Sequence, residues 1–293
     1  MHRTLIAAGI LAASALASGA PPEAGKPDNA VRGKAPVQDA VTAASLLAAL
    51  ETSDEGLETL QADIRYDRRF ILQGDRHVRD GKLYFKVNPG QEIVGARGRT
   101  FAIHFDELYV GDRKENDPQT WVFDGRWLTE VRPAIKRITR REVVREGERF
   151  DPLRIGEGPM PIPIGQKAAD ILSRYDAELL PSDEGAGEDG KAYLAGLKEP
   201  TWQLKLTPRK DRPDKDEFKE IRLWYSQGTL LPRLARTINR AGDESYVALI
   251  NLKRNGPLPK EAFTAPNAAE PGWEVQVMEL PPETGGRSPD LPF

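Results

Sequence analysis

LETLQADIRYDRRF, residues 57–70, alternates: Leu60, Ala62, Ile64 and Tyr66 fall on one side of an extended chain, and Gln61, Asp63, Arg65 and Asp67 on the other. Successive side chains of a strand point to opposite faces, so this segment is a strand with one apolar and one charged face. The same period recurs on either side of it. Leu83 and Phe85 alternate with Lys82, Tyr84 and Lys86, and Phe101, Ile103 and Phe105 alternate with Ala102, His104 and Asp106. Trp121-Val122-Phe123 and Arg126-Trp127-Leu128 flank Asp124-Gly125, which has the form of a tight hairpin. A charged strand follows around Ile135–Val144, and strands resume at Trp202–Leu206, Ile221–Tyr225, Leu230–Asn239 and Tyr246–Leu252. The short connections imply roughly ten strands, all antiparallel.

Two stretches carry the helical period instead. Val37 to Leu50 places Val37, Ala40, Val41, Ala44 and Leu47 on one side, and Gln166 to Leu180 does so with Ala168, Ile171, Leu172, Tyr175 and Leu179. A sheet with one apolar face cannot leave that face in water; it must curl, pair with a second sheet or be covered. The simplest closure is mainly β with two helices: a curved antiparallel sheet whose concave face the helices cover, an arrangement that tends to leave an apolar cavity. Leu83, Phe85, Phe101, Ile103, Phe105, Trp121 and Phe123 are the candidate lining. Each alone reads as core; as a set, under so few helices, they are surface that acyl chains can occupy.

Gly156 to Gly165 (GEGPMPIPIG) cannot pair inside a sheet because of its prolines, yet Met160, Ile162 and Ile164 are apolar and alternate. These three are lid candidates, either plugging the core permanently or swinging on the flanking glycines to admit a chain. Ser182 to Lys191 is acidic and glycine-rich and reads as a mobile loop.

The chain begins with a positive start, Met1–Arg3, an apolar run from Leu5 to Ala17 and small residues to Ala20. That is an export signal over 1–20, since a membrane span needs roughly 20 apolar residues. Residues 21–36 read as a flexible leader, 37–280 as a single domain and 281–293 as a disordered tail. The sequence has Cys 0, so disulfides and a lipid-bearing cysteine are excluded, and a soluble periplasmic monomer is expected. A net charge of −3 does not favour nucleic acid. The basic run from Arg132 to Arg149 is interleaved with Glu142, Glu146 and Glu148 and reads as a solvated strand face.

The residues of common catalysis are missing. After signal removal only His77 and His104 remain, on different strands, and His104 lies on the polar side of its own, where a solvated imidazole is expected. There is no Gly-x-Ser-x-Gly elbow, phosphate loop or His-Glu-x-x-His. Asp106-Glu107 and Asp216-Glu217 are read as surface carboxylates. No enzyme activity, metal or cofactor is expected.

Val37–Pro89 and Trp202–Phe263 resemble the LolA/LolB-type outer-membrane lipoprotein carriers. The first stretch runs from the helix through LETLQADIRYDRRF and Gly81-Lys-Leu-Tyr-Phe-Lys86 to Asn88-Pro89. The second runs through WQLKLTPRK, Leu223-Trp-Tyr, Leu231-Pro-Arg, a turn at Ala241-Gly-Asp243, Leu252-Lys-Arg-Asn255 and a proline-flanked Phe263. The hairpin at Phe123–Trp127 also falls where that family places one. The resemblance implies a half-open β-barrel with a helical lid that binds acyl chains of lipoproteins or lipids, taking them from a membrane donor to an acceptor. Such carriers hold the lid with an arginine beside the proline after this strand; the neighbours here are Lys86, Val87 and Asn88, so the latch is different or absent. An envelope sensor or a protein-binding module on the same fold is the alternative function.

Overall fold

The computed structural model describes residues 41–93, 96–145, 155, 162–211, 218–265 and 271–280. The expected signal, leader and tail, and Met160, lie outside them. Helix α1 (Ala43–Leu50) starts at a capping box in which the Thr42 hydroxyl accepts from the Ser45 amide at 3.1 Å and the Thr42 amide donates to Ser45 Oγ at 2.9 Å. Its apolar face buries Leu46, Leu47 and Leu50, while Val41, expected on that face, precedes the helix and is exposed.

The strands are β1 (Thr59–Phe70), β2 (Asp75–Ile93), β3 (Ala96–Val110), β4 (Arg113–Glu115), β5 (Gln119–Phe123), β6 (Trp127–Arg132) and β7 (Arg137–Glu142). After α2 (Ala168–Leu172) come β8 (Tyr175–Leu180), α3 (Gly187–Leu197), β9 (Thr201–Pro208), β10 (Phe218–Ser226), β11 (Pro232–Asn239), β12 (Glu244–Arg254) and β13 (Glu274–Met278). Among the described residues they form one open sheet in the order β13-β7-β6-β5-β3-β2-β1-β12-β11-β10-β9-β8, with β4 on β3. It is a large, unclosed, essentially antiparallel sheet covered by helices, as a half-open barrel requires.

Several expectations need correction. The pairing is not wholly antiparallel, because β13 joins β7 in parallel. There are three helices and not two among the described residues. Gln166–Leu180 is not one helix: α2 stops at Leu172, and Tyr175–Leu180 pairs with β9, setting Leu179 opposite Leu204. Tyr175 and Leu179 satisfy period two as well as period 3.6, whereas Ala177 between them fits period two alone, and the open edge of β9 decides for the strand. Leu172, placed on the helical face, is exposed.

Ser182–Lys191 is not a mobile loop. The Gln203 amide donates to the carbonyls of Pro181 at 2.5 Å and Glu184 at 3.0 Å, and Trp224 Nε1 to Ser182 at 2.7 Å. Arg222 and Arg236 donate to Glu184 and Gly185, and α3 begins at Gly187.

Alternation sorts the core into two layers. Leu60, Ile64, Leu83, Phe85, Phe101, Leu204, Leu223, Tyr225 and Val247 face the main core with α1 and α2. Trp224, Leu234, Tyr246 and Ala248 point the other way and meet Ala186, Tyr193 and Leu194, where α3 lies on the outer face. Gly81 is required where β2 crosses β3 at a bulge, since a Cβ there would sit 1.9 Å from the His104 carbonyl. His104 is not a solvated imidazole either: Nε2 lies 2.7 Å from the Ala262 carbonyl oxygen, tying the chain after β12 to the outer face.

Candidate functional site

Leu83 and Phe85 on β2, Phe101, Ile103 and Phe105 on β3, and Trp121 and Phe123 on β5 share the inner face, because the register pairs Leu83 with Ile103, Phe101 with Phe123 and Ile103 with Trp121. All are at most 2 % exposed except Trp121, which is partly buried and packed against the same cluster. The rings of Phe101 and Phe123 stack at 5.6 Å, and Phe105 meets Trp121 edge-to-face at 5.8 Å.

Over this face lies a cap of α1, α2 and the segment before α2. Ile162 and Ile164 are buried in the same cluster as the seven sheet residues, together with Leu46, Leu47, Leu50 and Ile171. The two described lid candidates and all the lining candidates therefore meet. Tyr225 is fully enclosed among the strands, and burial pushes its phenol pKa upward, so it stays neutral.

Polar groups fasten the cap at its rim. Arg99 on β3 donates through Nη1 to the Ile164 carbonyl at 2.8 Å and through Nη2 to Asp54 at 2.7 Å. The Arg99 and Asp54 side chains are 14 % and 10 % exposed, so this is a shielded ion pair, held by charge-assisted hydrogen bonds. Gly165 adopts φ +61°, and a Cβ there would lie 2.4 Å from Asp54 Oδ1. Only glycine lets the segment turn so close to the carboxylate. Glu51, just past α1, accepts the Ala168 amide at 2.7 Å, which joins α1 to the start of α2.

This latch was missed, although the sequence carries its signal. Arg99 lies in phase with Phe101, Ile103 and Phe105, a charge on the apolar face of a strand. It pairs in register with Val87, on the strand where the carrier resemblance implies a latch. The chemistry is one of enclosure: an apolar surface, an apolar cover and a polar clasp at its rim. Among the described residues no cluster of three His, Asp or Glu side chains is arranged to hold a metal, and no helix is long and apolar enough to cross a membrane.

The outer face is built differently. Asp67 on β1 is completely buried, gripped by Arg76 at 2.9 and 2.6 Å and by the Tyr193 hydroxyl of α3 at 2.7 Å. Asp189 of α3 pairs with Arg69 and with Arg76. Burial, then the hydrogen bond to Asp67, drives the Tyr193 pKa up, so the phenol remains a donor.

No family model and no curated protein matches this chain. Among solved structures it is similar to a conserved protein of Thermus thermophilus, at 11 % identity and TM-score 0.42, over 81 % of this chain and 98 % of that one. It is similar to a LolA superfamily protein of Nitrosomonas europaea at 14 % identity and TM-score 0.33, over 77 % and 99 %. MucB in the MucA/MucB complex of Pseudomonas aeruginosa aligns at 17 % identity and TM-score 0.37, over 76 % of this chain and 61 % of that one. At such scores their ligands and partners do not transfer to this chain.

Proposed function

We propose that this chain is a periplasmic carrier that binds the acyl chains of lipoproteins or lipids beneath the cap, for transfer towards the outer membrane. The observation that carries the reading is the Arg99–Asp54–Ile164 clasp at the rim of an otherwise apolar cap. In the closed state Ile162, Ile164 and the α1 leucines occupy the inner face that a chain would take. Lifting them exchanges one apolar cover for another, and the clasp adds a polar cost at the rim.

Stranding one partner of a buried ion pair costs about 3–5 kcal/mol, and parting Arg99 from Asp54 as the cap opens costs at most that, since both regain water. Each buried methylene returns about 0.8 kcal/mol, so roughly five methylenes offset it. Short amphiphiles then leave the cap closed and long chains open it. Without directional contacts to the chain, the same cargo can be handed on. Mass spectrometry of organic extracts from protein purified from its native host tests this. Acyl lipid at near-equimolar amounts is expected, and extracts no richer than those of an unrelated periplasmic protein would refute it.

A second reading, a protein-binding module of the envelope, is favoured by β13. All five of its residues are exposed, with Val275 and Val277 on one side, at an edge of the sheet. Such an edge suits an added strand. A stoichiometric protein partner and no extracted lipid would favour it over the carrier.

A further inference from the structure

The inner face changes character between β5 and β7. The registers set out three rows across it: Arg132, Arg137 and Glu274; Trp121, Glu130, Thr139 and Gln276; Phe123, Leu128, Arg141 and Met278. The last row begins inside the apolar cluster and carries a guanidinium one strand before its end. Arg141 stands between Leu128 and Met278, and among the described residues no carboxylate pairs with it. Its Nε is shut off from solvent and makes no hydrogen bond. Trp121 Nε1, in the next row and against Phe105, is likewise enclosed and unbonded, as is Arg132 Nε in the third.

The nearby acids are engaged elsewhere. Glu130 accepts from Gln119, Glu274 pairs with Arg137, and Asp117 is held by Arg79 and only loosely by Arg132 at 3.3 Å. A buried donor without an acceptor costs about 1–3 kcal/mol. Native interiors rarely leave such donors unsatisfied, and three on one sheet face call for an acceptor that the described residues do not supply. An anionic acceptor fits best, because the half-buried Arg141 carries a charge that no described carboxylate pairs with. It must also lie beside apolar surface, because Leu128 and Phe123 continue its row.

We propose that the inner face of β5–β7 is an anion site, centred on Arg141 and Trp121, for the carboxylate or phosphate head of an amphiphile whose chain lies on Leu128, Phe123 and Phe101. The proposal deepens the carrier reading and rests on it for the chain, but not for the anion. It makes the cargo class an anionic lipid or fatty acid.

Titration calorimetry of a long-chain fatty acid, an alkyl phosphate and a fatty alcohol of the same chain length, and inorganic phosphate tests it. The parent protein, Arg141→Met and Trp121→Phe are each titrated. The parent is expected to prefer the two anionic amphiphiles over the alcohol by about tenfold or more, ~1.4 kcal/mol. Arg141→Met erases that preference while binding the alcohol as the parent does, and Trp121→Phe reduces it partially. Ligand-free Arg141→Met unfolds no more easily than the parent, since the group removed has no partner; a clear loss of stability contradicts the proposal. Alcohol bound as tightly as fatty acid by the parent overturns the head-group site and leaves the carrier reading standing. Inorganic phosphate bound as well as alkyl phosphate, with no binding of the alcohol, keeps the anion site and removes the carrier. Binding of none of the four overturns both.

Discussion

The two faces of this sheet are covered by opposite means. On the inner face, α1, α2 and Ile162–Ile164 rest on aromatic and aliphatic side chains and are clasped at one rim by Arg99 and Asp54. On the outer face, α3 buries fewer apolar residues but is strapped by Asp67, Arg76, Asp189 and Tyr193, and the turn before it is held by Gln203, Arg222 and Trp224. Apolar contacts are indifferent to the identity of their partner, whereas hydrogen-bonded charges demand one geometry. An element meant to lift is best held by the first, and one meant to stay by the second.

If that contrast holds, damage to the outer cover reads out as lost stability. Trp224→Ala, at a completely buried position that also ends the Ser182 hydrogen bond, is expected to cost about 4 kcal/mol in denaturant unfolding. A cost comparable to that of an exposed substitution would mean that α3 is dispensable. Next comes Asp67→Ala, which strands Arg76 and Tyr193 on the outer face; about 3 kcal/mol is expected, trimmed from the range for buried pairs because Arg76 can regain water.

Damage to the inner clasp should be smaller in stability and larger in access. Gly165→Ala forces a side chain into the left-handed region against Asp54, at about 1–3 kcal/mol. Its distinguishing mark is faster uptake of an environment-sensitive apolar dye than Asp67→Ala shows at equal stability. Equal uptake in the two variants would erase the distinction between the faces.

The smallest effect concerns acid. Asp117 is held below the usual carboxylate range: burial raises its pKa, but hydrogen bonds and charge from Arg79 and Arg132 outweigh that. A depressed native pKa gives stability that is complete above the unfolded value, about 3.9, and is lost as pH falls through the native one. Asp117→Asn should therefore flatten the stability curve below about pH 4 and leave its shape above pH 5 unchanged. An unchanged acid limb would show that the pair does not contribute.

The inner face was legible because Leu60–Ile64, Leu83–Phe85 and Phe101–Phe105 keep strict alternation, and register carries the face from one strand to the next. The outer cover was not, although Leu223-Trp224-Tyr225 and Tyr246-Val247-Ala248-Leu249 are apolar at consecutive positions, the mark of strands covered on both sides. Gly187 and Gly190 disguised α3 as a loop. Gly190 is buried, a Cβ there being 3.2 Å from the Tyr246 ring, so close packing accounts for a residue that propensity counts against a helix. β13 gave little signal because it buries nothing, and its parallel pairing with β7 depends on a strand far away in sequence. The clasp showed only as one residue of the wrong polarity in phase with the core. The orphaned donors of Trp121 and Arg141 belong to no motif and emerge only when three strands are laid side by side.

If the cap moves to admit a chain, a removable lock across it must stop uptake. The Cβ position at Gly165 lies 2.5 Å from Asp54 Cγ, and the chain has no cysteine of its own, so Asp54→Cys with Gly165→Cys places a single disulfide across the clasp. The rate of uptake of a fluorescent long-chain fatty acid is then measured with the pair oxidised and reduced. Oxidation is expected to abolish uptake without unfolding the protein, and reduction to restore it at least as fast as in the parent. Uptake by the oxidised protein at the parent's rate would show that the cap is fixed core and that no chain enters beneath it.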